Sequence, residues 1–423
     1  MRGPPVKADA ALARQLLCAV QQQNFGADGS PDSTGSKFPS LDLAVVAFDP
    51  QRPAAARWAN VLFSREHAQG LIARFDGAAG SVANIRFDRD QRDAAGTSVA
   101  FTADSDWQAL HWTALQGGDR LLRNLPRVVA PYPASLLKLM VAVGIGLALD
   151  RGLIDAWPDA VEPMITISDN DATEACVALL HRHAMVDALN RRFAELGLRT
   201  LQLNGTTPAG GWRNADGAGV GMIHMTAWDT VRLLWLLDAD APPPPWVSAA
   251  SGAEPPLLQP ATRDHLRAVL QHQQLDEVLS SGALRDVPGW MPGLPDAPAF
   301  AHKTGAAESY ASDAGILRLD SVAGRPPLHA LVAVLTSLGH RHAPDPRCAT
   351  TWRLPALGAA IAACLQQGAQ QDADVRSTAR ANAWTDVRTD VRTDVRTDNL
   401  AGERSTAQAT EQATEQPTGP SLR

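Results

Sequence analysis

The sequence contains only four lysines, Lys7, Lys37, Lys138 and Lys303, although lysine and arginine together number 38. Arginine keeps its proton at any ordinary pH, whereas a buried lysine can release its own. Two of the four lysines, Lys138 and Lys303, lie inside short polar motifs in the body of the chain. This sparing use of lysine indicates that these two positions need lysine chemistry.

Several other features are missing, and each absence excludes a class of protein. The formal net charge is -7, so the chain lacks the basic excess that nucleic acids and anionic membranes require of a partner. The four cysteines are widely separated and form no C-x-x-C pair, and no H-E-x-x-H spacing occurs. We therefore expect no metal, no cofactor and no nucleic-acid partner.

Long apolar runs are also missing. No stretch is long enough to cross a bilayer, and the first residues lack the apolar core of a secretory signal. The sequence as written thus predicts a cytoplasmic protein without a membrane span, or a periplasmic one if the start residue is misassigned. Leu136–Leu149 is apolar nearly all round but short, which predicts a buried helix.

The arrangement of predicted elements favours an α+β fold. We expect terminal helices to pack on one antiparallel sheet, with the central helices forming a separate all-helical lobe. Early strands are predicted at Leu41–Phe48, Trp58–Phe63, Ser98–Thr102 and Ala109–Leu115. A late antiparallel meander is predicted at Phe300–Ala307, Ala314–Leu319 and Leu328–Leu335.

The last part of the chain differs in composition from the rest. A Thr-Asp-Val-Arg unit repeats from Thr385, and an Ala-Thr-Glu-Gln unit repeats from Ala409. Polar repeats bury too little apolar surface to offset the entropy of folding. We therefore predict one folded domain over residues 1–368 and a disordered tail over residues 369–423.

The first polar motif is Ser135-Leu136-Leu137-Lys138, at the predicted start of the buried helix. Residues three apart on a helix project from one face, and helix amides there stabilise negative charge. For Lys138 to accept the Ser135 proton, its pKa must fall from about 10.4 towards neutrality, a shift of roughly three units or about 4 kcal/mol. Burial and a second cation nearby, Lys303, are the two influences that could lower it.

Two further motifs follow in the order Ser168-Asp169-Asn170 and Lys303-Thr304-Gly305. Taken alone, the first is equally well explained as a helix N-cap, and the second as an edge-strand lysine beside a glycine bulge. The ordered combination of all three motifs is far more specific than any one of them. Together they indicate a serine enzyme of acyl transfer.

With these motifs in this order, the chain resembles the serine β-lactamases and penicillin-binding proteins, and within them the class A β-lactamases. The resemblance covers roughly residues 110–366. It implies an enzyme whose substrate is a small molecule, a β-lactam or a D-amino-acid peptide. We further expect the protein to be a monomer.

The resemblance also implies roles for individual residues. Ser135 would be the nucleophile and Lys138 its base, while Ser168, helped by Lys303, would pass the proton to the leaving nitrogen. Lys303 and Thr304 would hold a substrate carboxylate. The remaining roles are a substrate amide contact for Asn170 and an oxyanion hole made by the N–H groups of Ser135 and of Ala306, which follows Gly305.

The chain departs from the class A pattern at two places. Thr200 stands where those enzymes carry the glutamate that activates the deacylating water, and threonine is no base near neutral pH. Glu174, one helical turn beyond Asn170, is a candidate replacement; the alternative is a solvent-exposed helix glutamate. In addition, no arginine begins the strand after Gly305, where many class A enzymes place a carboxylate ligand.

Three functions stay open at the level of sequence. The first is a class A-like β-lactamase that forms an acyl-enzyme at Ser135. The second is a D-alanyl peptidase or esterase of the same fold, which the missing glutamate favours. The third is a non-catalytic ligand-binding protein, against which the intact Ser135, Lys138, Ser168 and Lys303 speak.

Overall fold

The computed structural model describes residues 9–25, 39–49, 52–64, 67–75, 80–87, 128–212, 223–246, 256–307, 310–321 and 326–370. All of them belong to one unit, Met1–Gln370. Two predicted strands, Ser98–Thr102 and Ala109–Leu115, lie outside the described residues. The predicted tail does too, except for residues 369–370, which are helical.

An antiparallel sheet forms the centre of the described unit. Its strands are β1 (Leu41–Asp49), β2 (Arg52–Phe63), β3 (Leu71–Ile72), β8 (Phe300–Ala306), β9 (Ala311–Leu319) and β10 (Leu328–Thr336). They lie in the order β3-β2-β1-β10-β9-β8, so β8 is an edge strand. Short pairs are formed by β4 (Ile85–Arg86) with β5 (Val128–Val129), and by β6 (Gln202–Leu203) with β7 (Ile223–His224).

The helices cover both faces of this sheet. They are α1 (Ala10–Gln22), α2 (Lys138–Asp150), α3 (Val161–Thr166), α4 (Asn170–Arg182), α5 (Met185–Glu195), α6 (Ala227–Leu237), α7 (Pro260–Gln271) and α8 (residues 353–370). One core joins the sheet to α1 and α8, and a second joins its other face to α2 and the helices around it. The predicted α+β fold, with terminal helices on an antiparallel sheet and a helical lobe, is confirmed.

Strand β1 shows why the early sequence reads as a continuous apolar run. Leu41, Leu43 and Val45 face the core beneath α1 and α8, whereas Ala44 and Val46 face the core around α2. Successive side chains of a strand point to opposite faces, so a strand covered on both sides needs apolar residues throughout. The late meander is likewise confirmed, since β8, β9 and β10 pair antiparallel in succession.

Helix α2 is the centre of the helical lobe. Residues 138–148 are all buried, which confirms the prediction of a buried apolar helix. Among the described residues, no helix is both long and apolar enough to cross a membrane. Because α2 begins at Lys138, its first polar side chain enters the interior between α4 and β8.

Candidate active site

Ser135 lies in a tight turn that joins the body of the fold to α2. The turn is a 3-10 helix, Ala134–Leu137, and Ala134 at its start has a φ of +48°, which is costly for a residue other than glycine. The carbonyl of Pro133 accepts hydrogen bonds from Leu136 N (3.1 Å) and from Ser312 Oγ of β9 (2.5 Å). The sheet therefore holds this turn in place, while Ser135 itself stays partly exposed.

Ser168 is the meeting point of the two motif lysines. Lys138 Nζ donates to Ser168 Oγ at 3.0 Å and to its carbonyl at 2.5 Å, and Lys303 Nζ donates to the same Oγ at 3.1 Å. Both lysines are fully buried. Ser168 is itself held at a φ of +57° between α3 and α4, so the hydroxyl is positioned by a strained backbone.

In the Ser168-Asp169-Asn170 motif, Asp169 fits the interpretation as a helix N-cap and Asn170 fits the interpretation as a site residue. Asp169 is the N-cap of α4, accepting from Ala172 N at 2.6 Å, as the N-cap interpretation predicted. Asn170 Oδ1 accepts from Lys138 Nζ at 2.8 Å. The structure thus brings Lys138, Ser168, Asn170 and Lys303 together, and one residue of the motif is structural.

Burial controls the charge of Lys303. Desolvation lowers its pKa from 10.5 to about 7, against the opposing influence of the carboxylates of Glu277 and Asp313. Near neutral pH this side chain therefore exchanges its proton readily, which is the property that the scarcity of lysine suggested. Lys303 Nζ also donates to the carbonyl of Thr304 at 2.8 Å, which fixes the ammonium beside the edge of the sheet.

The open edge of β8 carries Ala306. Ala307 N–H donates to Tyr310 O at 2.9 Å, and Arg318 N–H donates to Ala299 O at 2.8 Å. Bonded pairs alternate along an antiparallel ladder, so the N–H of Ala306 points away from β9. Thr304 is only 2% exposed and, by strand alternation, faces the side opposite Lys303. The role of Thr304 in binding a substrate carboxylate stays a prediction.

Gly305 explains how β8 comes so close to the Ser135 turn. A Cβ on Gly305 would lie 2.5 Å from Pro133 O and 2.7 Å from Leu136 N. These are backbone atoms, which cannot rotate away as a side chain can. Only a residue without a side chain lets the edge strand and the turn approach to this distance.

Thr200, which replaces the class A glutamate, is hydrogen-bonded to buried residues at the start of α6. Its hydroxyl lies 2.7 Å from both Asp229 Oδ2 and Thr226 Oγ1, and its N–H donates to Asp229 Oδ2 at 2.9 Å. Asp229 also pairs with the buried Arg232 at 2.9 Å. Thr200 therefore fastens its loop to α6. Glu174 is partly buried on α4, one turn beyond Asn170, and its role as a base stays a prediction.

Trp212 was missed by the sequence analysis. Its ring centroid lies 5.4 Å from Lys138 Nζ, and the residue is 6% exposed. The loop that carries it lies close against α4. A Cβ on Gly210, which has a φ of +96°, would lie 2.3 Å from the carbonyl oxygen of Glu174, so glycine permits this approach. Nothing in the local sequence Gly210-Gly211-Trp212 indicates that the tryptophan lies beside Lys138.

A second group missed by the sequence analysis surrounds His302, the residue before Lys303. His302 Nδ1 lies 2.7 Å from Asp313 Oδ1, and its Nε2 lies 3.0 Å from Asp276 Oδ1. Burial opposes protonation of the ring, but the two carboxylates outweigh it and raise the pKa of His302 to about 9. The ring is therefore a cation at neutral pH and neutralises buried acidic charge behind β8.

Replacing His302 by glutamine is expected to lower the free energy of unfolding by about 3 kcal/mol at pH 6, because the buried Asp313 and Asp276 then lose their cation. Because the pKa of His302 is raised on folding, its contribution to the free energy of unfolding is fully present below its unfolded pKa of 6.5. That contribution is lost as the pH rises through the folded pKa of about 9. The difference between wild type and variant should therefore shrink from pH 6 to pH 9. Urea unfolding at several pH values measures it.

Subtracting the stability of the variant from that of wild type also removes the contribution of Lys303. The pKa of Lys303 is lowered on folding, so Lys303 makes stability rise with pH above about 7. This slope is opposite to that of His302, but it cancels because Lys303 is present in both proteins. A stability difference that stays constant from pH 6 to pH 9 would show that the charge of His302 is unimportant.

Comparison with known proteins finds one matching family. Residues 143–336 match the profile of the Beta-lactamase enzyme family. This segment contains the Ser168 and Lys303 motifs and begins five positions after Lys138. The match supports the resemblance to β-lactamase-like serine hydrolases that the motifs predicted.

Solved structures of similar proteins also carry the name β-lactamase. One from Sphaerobacter thermophilus DSM 20745 is 16% identical, with a TM-score of 0.42, over 85% of this chain and 97% of its own. One from Xanthomonas campestris pv. campestris is 14% identical, with a TM-score of 0.42, over 86% of this chain and 98% of its own. No protein of curated function matches the sequence.

Proposed function

We propose that this protein is a serine hydrolase of the class A β-lactamase type, which forms an acyl-enzyme at Ser135 and opens the cyclic amide of β-lactams. The observation that carries the proposal is the Ser168 hydroxyl between Lys138 Nζ at 3.0 Å and Lys303 Nζ at 3.1 Å. Cleavage of an amide requires a proton on the departing nitrogen, and a hydroxyl between two buried amines provides a path for it.

In the proposed acylation, Lys138 acts as the base and Ser168 relays the proton. Ser135 Oγ attacks the carbonyl carbon while uncharged Lys138 takes its proton, so the C–O bond forms and the carbonyl oxygen becomes negative. The N–H groups of Ser135 and of Ala306, on the open edge of β8, are the proposed donors to that oxygen, each worth about a hundredfold or more in rate. The carbonyl then re-forms as the C–N bond breaks, and the proton passes from Lys138 through Ser168 to the nitrogen.

Deacylation needs a base that activates water. Thr200 cannot supply it, and its hydroxyl is engaged by Asp229 and Thr226. We propose Glu174 for this role because it lies on α4 one turn beyond Asn170. The engagement of Thr200 equally favours the second candidate, a D-alanyl peptidase or esterase of the same fold, which need not share the class A route of deacylation.

The test is an intact-mass time course of the purified protein with benzylpenicillin, followed by peptide mapping. We expect a single adduct of the mass of the drug, located on the peptide that contains Ser135. Protein unfolded in urea before exposure is the control and should remain unmodified. An adduct elsewhere, or none with penicillins, esters and D-amino-acid peptides alike, would refute a serine hydrolase acting through Ser135.

The lifetime of the adduct separates the two candidate activities. Rapid decay with consumption of the drug supports a β-lactamase, whereas persistence supports a peptidase-like enzyme. If the adduct decays rapidly in wild type, Glu174→Gln should prolong it by about a hundredfold, as loss of a general base does. Normal turnover by this variant would exclude Glu174 as the base.

A further inference from the structure

The loop after β6 reaches from the surface of the protein to the site. Residues 207–209 are exposed, whereas Trp212 is buried and belongs to the core around α2. A hydrogen-bonded turn lies between them. Thr207 N–H donates to Gly211 O at 2.8 Å, and Gly211 N–H donates to Thr207 Oγ1 at 3.0 Å. The turn therefore fixes the point at which the Trp212 side chain enters the interior.

Helix α4 holds this loop in place. His181 Nε2 lies 2.9 Å from Thr206 Oγ1, and Gly210 packs directly against the carbonyl of Glu174. The same helix begins at Asn170, which is part of the candidate site. The loop and the site therefore share one support, and their relative position is fixed.

The Trp212 ring lies beside the amine that the proposed acylation uses as its base. The ring centroid is 5.4 Å from Lys138 Nζ, and Lys138 is fully buried. This Nζ donates to the carbonyl and hydroxyl of Ser168 and to Asn170 Oδ1. A cavity beside such polar atoms would hold water, because water needs a few polar partners in order to stay in an interior. The Trp212 ring thus keeps this part of the site dry.

The dry region adjoins the position of the proposed acyl group. Side chains three residues apart eclipse in a 3-10 turn, so an acyl group on Ser135 would lie on the side of the turn that faces Lys138. Hydrolysis of this ester joins the water oxygen to the carbonyl carbon and breaks the bond to Ser135 Oγ, which takes one proton of the water. Water must therefore reach the ester carbon near the Trp212 ring.

We propose that Trp212 limits the access of water to the acyl-enzyme and so controls how fast the acyl group leaves Ser135. The inference rests on the proposed acylation of Ser135 and concerns the step that follows it. It holds for any group that activates the water. It makes removal of the ring a way to accelerate hydrolysis, whereas general damage to the site would slow it.

The test measures the decay of a preformed adduct. Protein acylated with benzylpenicillin is separated from the excess drug, and the loss of the adduct is followed by intact mass in wild type and in Trp212→Ser. Hydrolysis should be about tenfold faster in the variant because water enters the space of the ring, while acylation should not become faster. Trp212→Phe keeps an aromatic ring, and its adduct should decay at close to the wild-type rate.

A second variant displaces the loop and leaves the ring intact. Gly210→Ala would place a Cβ 2.3 Å from the Glu174 carbonyl oxygen, which pushes the loop away from α4 and should also accelerate hydrolysis. Trp157→Ser is the control for loss of a tryptophan, because Trp157 lies beside Gly146, eight positions along α2 from Lys138. Its adduct should decay at the wild-type rate. Thermal unfolding of each variant shows whether the fold is intact.

The outcomes separate the inference from the function on which it rests. If Ser135 is acylated in wild type but neither Trp212→Ser nor Gly210→Ala hydrolyses faster, the inference is wrong and the proposed function stands. If Trp212→Phe hydrolyses as fast as Trp212→Ser, the aromatic ring is not the barrier and the inference is again wrong. Should Trp212→Ser fail to fold, Gly210→Ala decides alone. If no donor acylates Ser135 in wild type, the proposed function falls and the inference falls with it.

Discussion

Replacing Lys138 by methionine is expected to slow acylation of Ser135 about 1000-fold, as removal of a general base does. Lys138 is the buried amine that follows Ser135 in the chain, and its Nζ also donates to Ser168 and to Asn170. The variant keeps a side chain of similar length but cannot accept the proton. Single-turnover acylation, followed by mass spectrometry with a penicillin, measures the loss.

The matched control is Lys138→Arg, which keeps the positive charge and removes the ability to give up a proton. If Lys138 acts as the base, arginine should be nearly as inactive as methionine. If it acts only as a cation that holds Ser168 and Asn170 in place, arginine should restore much of the rate. Rapid acylation of the arginine variant, with a normal melting temperature, would contradict the mechanism.

Replacing Gly305 by alanine is expected to slow acylation about 100-fold, although alanine brings no new chemistry. Its Cβ would lie 2.5 Å from Pro133 O and 2.7 Å from Leu136 N, so β8 and the turn that carries Ser135 must move apart. A misplacement of about 1 Å in an active site costs a rate factor of this size. Acylation kinetics and a crystal structure of the variant give the loss and the displacement.

Gly152→Ala is the control for a general effect of losing a glycine. Gly152 has a φ of +66°, but no atom lies within 4 Å of the Cβ that alanine would add. Alanine there should destabilise the fold by about 1 kcal/mol through backbone strain and leave acylation unchanged. Wild-type acylation by Gly305→Ala, with β8 in its original place, would show that the close approach is unimportant.

Much of the fold was predictable because local signals agreed with the tertiary structure. The segment Thr226-Ala227-Trp228-Asp229 has the pattern of a helix cap, and Thr226 does cap α6, accepting from Asp229 N at 3.2 Å. The buried helix was predicted from its unbroken apolar character, since α2 is surrounded on all sides. The order of strands in the sheet was beyond prediction, because β1 pairs with β10 across nearly 300 residues.

The site was predictable where chemistry restricts the choice of residue. Lys138, Ser168 and Lys303 stood out by residue type and by their order in the chain. In the structure both lysines lie within hydrogen-bond distance of the Ser168 hydroxyl. Trp212 reaches Lys138 through loop geometry, which leaves no trace in local sequence. The assigned roles of Ser135 and its partners remain predictions until acylation is measured.

The pairing of β1 with β10 has a consequence for how the protein is made. Leu41 lies opposite Thr336, so the sheet closes only when the first and last strands of the domain meet. During synthesis, β1 and β2 leave the ribosome long before their partner and must wait with an unpaired edge. Such non-local pairing slows folding. The sheet that carries the candidate active site can therefore be complete only after residue 336 has been translated.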